Sequence, residues 1–526
     1  MDVSSNYGIE AVPETPDISV LPGTRHHTLL TTNEPPEDSD TVFIQSIVSK
    51  CDARLAYLED EISKSPDRRE ELEEERLSLL AYRAQNRAIL SPIRRIPPEI
   101  LGDIFCWTLP PILDDSNLVG SSPWLSTHIS SRWRTISIAM PALWSRIVVD
   151  YTQIHERARS RGRFSSSEYH LSLMATRIQR SQKLKIHFYG SLEMDSRPQI
   201  QIFEFLMQHS PRWEELSVGL TTEIFSLLNS LHGRLPSLKR LWVQWDGMET
   251  PSDKSLDCFH AASSLVEFGV VNEFRDLPIR LPAPQLTRYE LNGPWTTHER
   301  ILLGAENLVE ACIDIRPNLE MQSDSIIELR HLRRLYVSTP LILSVLKAHA
   351  LEELAVFMDP YARPVFLDHL RGFVDRSSCP LRRVCLRGPP DAHTTTQLLK
   401  SFPSFTEFVL IITVPDEVDL IISALRLTTE SIVVAPQLRS IFLGFENDNT
   451  FDCTAYLAML KARWEASDCS LTHAALTTYG NPPLDGLTSS GLLALGREGL
   501  DLVLSENDRD STIIQNAWMY GSSWNQ

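Results

Sequence analysis

Ten times between Trp213 and Leu443 the chain repeats one pattern: an apolar residue, two of any kind, a second apolar residue, one of any kind, and a third apolar residue. The copies are Trp213-Leu216-Val218, Leu238-Leu241-Val243, Leu265-Phe268-Val270, Leu286-Tyr289-Leu291, Leu308-Ala311-Ile313, Leu332-Leu335-Val337, Leu351-Leu354-Val356, Leu381-Val384-Leu386, Phe405-Phe408-Leu410 and Leu438-Ile441-Leu443. Their starts lie 19 to 33 residues apart. The last two apolar positions of each copy alternate as the inward residues of a short strand do, and the first sits on the turn leading in. One such unit cannot bury its apolar side alone, so neighbours must stack, with their strands side by side in a parallel sheet. Leu184, Ile186 and Phe188 alternate in the same way and predict an earlier strand.

A chain of 526 residues exceeds what one core supports, roughly 250–300 residues, so further units are expected outside the array. Residues 1–40 carry Pro13, Pro16, Pro22, Pro35 and Pro36 among acidic and Ser/Thr residues with no apolar period, and are expected to form a disordered tail. Over 41–90 the period turns helical: Ile44, Ile47, Cys51, Leu55, Leu58 and Ile62, then Leu72, Leu79, Tyr82 and Ile89 beyond a break at Ser65-Pro66-Asp67. This predicts a helical hairpin or coiled-coil arm. Arg54, Glu75 and Asn86 fall on its seam and favour packing within the chain over dimerisation. A monomer is therefore expected, with self-association through the arm as the alternative.

Residues 91–148 form three pieces. Pro97-Pro98 start a helix predicted to reach about Thr108, in which Ile100, Leu101, Ile104, Phe105 and Trp107 cover more than half the circumference. Such a helix needs cover on two sides, and its own domain supplies only one. A second helix is predicted from Trp124 to Ile138, with Leu125, Ile129, Trp133 and Ile136 on one stripe; Leu143, Trp144 and Ile147 follow Pro141. In order and spacing these pieces resemble an F-box. Ile96, Pro97, Glu99, Ile100 and Leu101 match its first element, Ile104 and Phe105 its second, Trp133 its third, and Leu143 and Trp144 its last. Ile129-Ser130 departs from the usual Val-Cys. The run from the arm through Leu101 is also similar to the N-terminal part of a large fungal family of F-box-like proteins. The resemblance implies that these ten residues bind a Skp-type adaptor and, through it, a cullin.

The period and core of the array resemble a degenerate leucine-rich repeat. That implies a linker over 149–180, an α/β solenoid with a C-terminal cap over 181–506, and a flexible tail over 507–526. It also implies an unknown protein substrate held by outward strand positions, with Trp242, Gln244, Arg288, Tyr336, Arg383 and Phe442 as candidate contacts. The expected fold is thus α plus α/β: a helical hairpin and F-box helices, then the leucine-rich-repeat-like solenoid.

No HExxH, GxSxG, P-loop, GxGxxG after a strand, or Cys/His cluster at metal spacing occurs, so neither an enzyme nor a cofactor or metal is expected. Eight cysteines without a CxxC pair suit a reducing compartment. A formal charge of −18 argues against a nucleic-acid partner. The most apolar short run, Phe408 to Val414 with one Thr inside it, is too short to span a membrane. Cytoplasm and/or nucleus is the expected location. The function expected is that of a substrate-recognition adaptor of an SCF-type cullin ubiquitin ligase. A protein-binding repeat scaffold, or an F-box protein acting outside ubiquitin ligation, is the alternative.

Overall fold

The computed structural model describes residues 18–64, 66–109, 123–152, 167–245, 255–272, 278–315, 321, 325–358, 363–389, 391–412, 417–426, 434–445, 452–466, 470–477 and 484–505. The expected C-terminal tail over 507–526, the first 17 residues of the expected N-terminal tail and residues 153–166 of the expected linker lie outside them. The protein is a mixed helical and parallel-sheet structure in two compact units, Met1–Arg146 with Glu168–Lys183, and Ile147–Ser167 with Leu184–Gln526.

The first unit is helical: Arg25–Thr31 (α1), Asp38–Lys64 (α2), Arg69–Ile89 (α3), Pro98–Trp107 (α4), Trp124–Ile129 (α5), Ser131–Ala139 (α6) and most of Ser167–Arg180 (α7). α2 and α3 fold back about the Pro66–Arg68 turn and bury Cys51, Leu55, Leu58, Leu72, Leu79 and Tyr82 between them. The polar residues on the seam are satisfied by the chain itself. Arg54 Nε and Nη2 donate to the two Glu75 carboxylate oxygens at 2.8 and 3.0 Å, and Asn86 Nδ2 donates to the Tyr82 carbonyl at 2.9 Å.

Three expectations need correction in this unit. The tail does not run unstructured to residue 40. The Thr24 hydroxyl caps α1 by accepting from the His27 N–H at 3.2 Å, and Leu29 is buried with Ile44 and Ile89. α1 has only seven residues, too few to show a helical period in a proline-rich stretch. The helix predicted from Trp124 to Ile138 is two helices. Ser130 is extended between them (φ −158°, ψ 165°) and its hydroxyl accepts from the Trp133 N–H at 3.2 Å, the ordinary work of an N-cap serine. That break turns Leu125 and Ile129 out to solvent, off the stripe that keeps Trp133 and Ile136 half-buried. Finally, 149–180 is not all linker: α7 occupies its end, and Arg177 Nη1 donates to the Arg146 carbonyl at 2.9 Å.

In chain order the strands are Arg146–Asp150 (β1), Leu184–Tyr189 (β2), Trp213–Leu220 (β3), Arg240–Trp245 (β4), Glu267–Asn272 (β5), Arg288–Asn292 (β6), Glu310–Asp314 (β7), Ile327–Glu328 (β8), Arg334–Val337 (β9), Leu346–Lys347 (β10), Glu353–Phe357 (β11), Arg383–Gly388 (β12), Glu407–Ile412 (β13), Ser440–Phe445 (β14), His473–Thr477 (β15) and Asp501–Ser505 (β16). β8 and β10 pair with each other; the other fourteen form one sheet in which each strand lies beside the next in sequence. From β2 to β16 the pairing is parallel throughout. All ten repeats supply a strand. Their middle apolar residues fall into one row in register, from Leu216 beside Leu241 at one end to Phe408 beside Ile441 at the other. A slip of one residue would turn every member of that row outward.

Parallel neighbours need crossover connections. Ser196–Met207 (α8), Thr222–Asn229 (α9), Trp295–Leu302 (α10), Arg363–Ser377 (α11), Ala392–Ser401 (α12), Val418–Leu425 (α13), Cys453–Glu465 (α14) and Gly486–Arg497 (α15) supply many of them. Their apolar sides meet the inward row. Phe188 of β2 lies 4.9 Å from Phe203 of α8 and Trp245 of β4 lies 5.8 Å from Phe225 of α9, ring centre to ring centre. The Tyr289 hydroxyl of β6 lies 2.9 Å from His298 Nδ1 of α10.

Candidate functional site

Proline at the first position of α4 fixes its start, and the helix then divides its apolar residues between two faces. Leu101 and Phe105 point inward, where Leu143 and Trp144 complete a fully buried cluster edged by Ile96, Trp133, Ile136 and Met140. Phe105 and Trp133 meet at a tilt of 48° with ring centres 4.7 Å apart, and Trp144 Nε1 donates to the Ser137 carbonyl at 2.7 Å. On the other face Ile100, Ile104 and Trp107 follow at helical spacing and are exposed, Trp107 by 91%. Leu125 and Ile129 repeat the arrangement on α5. The ten residues expected to bind an adaptor therefore separate. Pro97, Glu99, Ile100 and Ile104 are exposed, Ile96 and Trp133 are half-buried, and Leu101, Phe105, Leu143 and Trp144 are core. The buried four can shape a docking surface but cannot touch a partner, whereas Trp107, Leu125 and Ile129, outside the matched set, can.

The candidate substrate contacts of the sheet divide in a similar way. Phe442 is fully buried in a cluster with Ala355, Cys385, Val409, Ile411 and Ala475, and Tyr336 packs against it. Burial pushes the Cys385 thiol up to about 12, so it stays protonated at neutral pH. Gln244 is half-buried. Trp242 lies across Gly269 on the adjacent strand: a Cβ there would sit 2.3 Å from the indole. Gly269→Ala is therefore expected to cost about 1–3 kcal/mol through overpacking. Much of that cost should vanish in a Trp242→Ala background. Denaturant unfolding of the four chains measures the coupling, and its absence would clear Trp242 as the obstacle.

Arg288 and Arg383 belong to a feature that apolar spacing does not reveal. The residue just before each middle apolar position forms its own row: Glu215, Arg240, Glu267, Arg288, Glu310, Arg334, Glu353, Arg383, Glu407. The sign alternates at every step. Arg240 lies 3.5 and 3.7 Å from Glu215 and Glu267; Arg288 lies 3.6 Å from Glu310; Arg334 lies 3.2 and 3.3 Å from Glu310 and Glu353; Arg383 lies 3.1 and 3.5 Å from Glu353 and Glu407. Facing opposite charges contribute about 0.2–1 kcal/mol each and like charges oppose pairing, so the ladder favours this order of repeats. It also engages Arg288 and Arg383 within the sheet. Glu and Arg do alternate visibly in the sequence, but only the register shows that they face one another.

Among the described residues no group of three or more His, Cys, Asp or Glu side chains could hold a metal ion, and no helix is long and apolar enough to cross a membrane. A scan against known protein-family models finds no match, and no curated protein matches the chain.

Proposed function

We propose that the chain is a substrate-recognition subunit of a cullin ubiquitin ligase. In this reading α4, α5 and α6 act as an F-box that docks a Skp-type adaptor, and the stacked repeats act as a leucine-rich-repeat-like solenoid that holds a protein substrate. The observation that carries it is the pair of apolar stripes, Ile100-Ile104-Trp107 and Leu125-Ile129, left exposed by helices that already own a complete core. Apolar residues at helical spacing on a helix that needs no further intramolecular cover are what a partner helix buries. The contribution to ubiquitin transfer is proximity: a bound substrate is presented to enzymes carried by other subunits, with no catalytic group from this chain.

Co-purification of the full chain with a Skp-type adaptor tests the reading. The wild type is expected to hold the adaptor through washing. Ile100→Glu with Ile104→Glu should weaken it by about a hundredfold or more, because two charges would be buried without partners. Both side chains are exposed, so the melting temperature should stay the same. A wild-type chain that captures no adaptor sets the F-box reading aside.

A further inference from the structure

The charge ladder stops at Ser440, and a cleft opens there. After Glu407 the alternation calls for a cation; β14 offers Ser440 instead, in register between Glu407 and His473. The Ser440 hydroxyl is buried, the residue being 5% exposed, and among the described residues no hydrogen bond engages it. Around it lies a cleft of ≈1040 Å³ at the leading ends of β12 to β15, whose lining includes Arg382, Glu407, Arg439, Ser440, Trp464 and His473.

The cations of this cleft differ from their counterparts earlier in the array. One position before the ladder row, Lys239 meets Glu214 at 2.9 Å and Arg333 meets Glu352 at 3.9 Å. Arg382 and Arg439 stand at the same position of their repeats, and no ion pair engages either among the described residues. Thr406 separates them, and its hydroxyl donates to the Arg382 carbonyl rather than to a guanidinium. The acidic group present is already engaged: Glu407 faces Arg383 at 3.5 Å. His473 is turned to Asp501 at 3.4 Å. Two exposed guanidinium groups and a buried, unsatisfied hydroxyl therefore line one concavity.

We propose that this cleft binds a peptide segment through a single oxyanion group, a phosphate or a carboxylate, held by Arg382 and Arg439 with Ser440 donating to it. Guanidinium groups give paired donors in the geometry such oxyanions accept. A lone anion would leave most of the cleft empty. Four strand ends span about 14 Å, at roughly 4.8 Å per strand, which is the reach of about four residues of extended peptide. The half-buried Trp464 offers apolar surface to its neighbouring side chains. A nucleic acid, with its run of phosphates, would meet a chain of formal charge −18. The proposal stands apart from adaptor docking, since every residue in it belongs to the second unit and its test contains no adaptor.

Fluorescence anisotropy of the full chain with labelled Gly/Ser peptides tests it. One peptide carries a single phosphoserine, one a single glutamate, and one neither. The wild type is expected to bind a charged peptide and not the neutral one. Binding of the phosphoserine peptide alone would identify phosphate as the group; equal binding of both would identify any carboxylate or phosphate. Arg382→Gln with Arg439→Gln should weaken binding by about tenfold or more, while Arg333→Gln leaves it unchanged. Ser440→Ala, which removes the hydroxyl donor and keeps both cations, should weaken binding severalfold while leaving the melting temperature unchanged. The proposal fails if neither charged peptide binds at about 1 mM, if the neutral peptide binds as well as the charged ones, or if the double variant binds as well as the wild type.

Discussion

Replacing Arg463 with alanine is expected to lower the stability of the second unit by about 3–5 kcal/mol. Arg463 is fully buried on α14. Its Nε donates to the Leu425 carbonyl at 2.7 Å, Nη2 to Val434 at 2.6 Å and Nη1 to Ala435 at 3.3 Å. Leu425 is the last residue of α13, where helix carbonyls lack partners along the chain. Val434 and Ala435 lead toward β14, and Ala435 is held at φ 47°, a conformation that costs a non-glycine residue about 1–2 kcal/mol. One side chain thus closes a helix end and holds a strained turn. Alanine removes the donors and leaves a cavity, whereas Arg463→Met keeps most of the volume and removes only the donors. Urea unfolding should find methionine nearly as damaging as alanine. A methionine variant close to the wild type would mean that Arg463 acts by filling space.

What could be read from the sequence followed from periodicity, and what could not depended on contacts between distant residues. The ten apolar triplets, with Leu184-Ile186-Phe188 before them, all became neighbours in one sheet, because period-2 alternation and a repeated turn are local properties. The break between α5 and α6 is hidden in the sequence because Ser130 sits inside an otherwise helical apolar period, and the signal for a cap there is a single serine. β15 and β16 lie beyond the copies counted from the apolar pattern: only a small Ala474 stands in the middle row at β15, and Gly499 stands where the first apolar residue of β16 would fall. The docking residues show the same limit more sharply. Ile100 and Leu101 are adjacent and equally apolar, yet one is half-exposed and the other fully buried. The sequence says that α4 is apolar on two faces; only the packing of Leu143 and Trp144 says which face is taken. For the sheet, apolar spacing directed attention to aromatic outward positions, although Phe442 is enclosed and the unpaired cations stand one row away, at Arg382 and Arg439.

Trp144→Ala is the second large effect, about 3–5 kcal/mol against the helical module. The ring is fully buried, meets Trp124 edge-on at 5.0 Å, lies beneath the Arg180 guanidinium at 4.4 Å, and donates from Nε1 to the Ser137 carbonyl. Its loss empties the centre of the cluster against which Leu101 and Phe105 are packed. Hydrogen exchange should show lost protection in α4, α5 and α6, with the amides of β12 to β14 as an internal reference. This variant and Ile100→Glu with Ile104→Glu are both expected to lose a Skp-type adaptor, for opposite reasons: one dissolves the surface, the other keeps it and changes its chemistry. Adaptor lost while protection is retained assigns the contact to the exposed stripe. If Trp144→Ala retains full protection, the buried cluster does not hold the module together, and the division of α4 into an inward and a docking face fails with it.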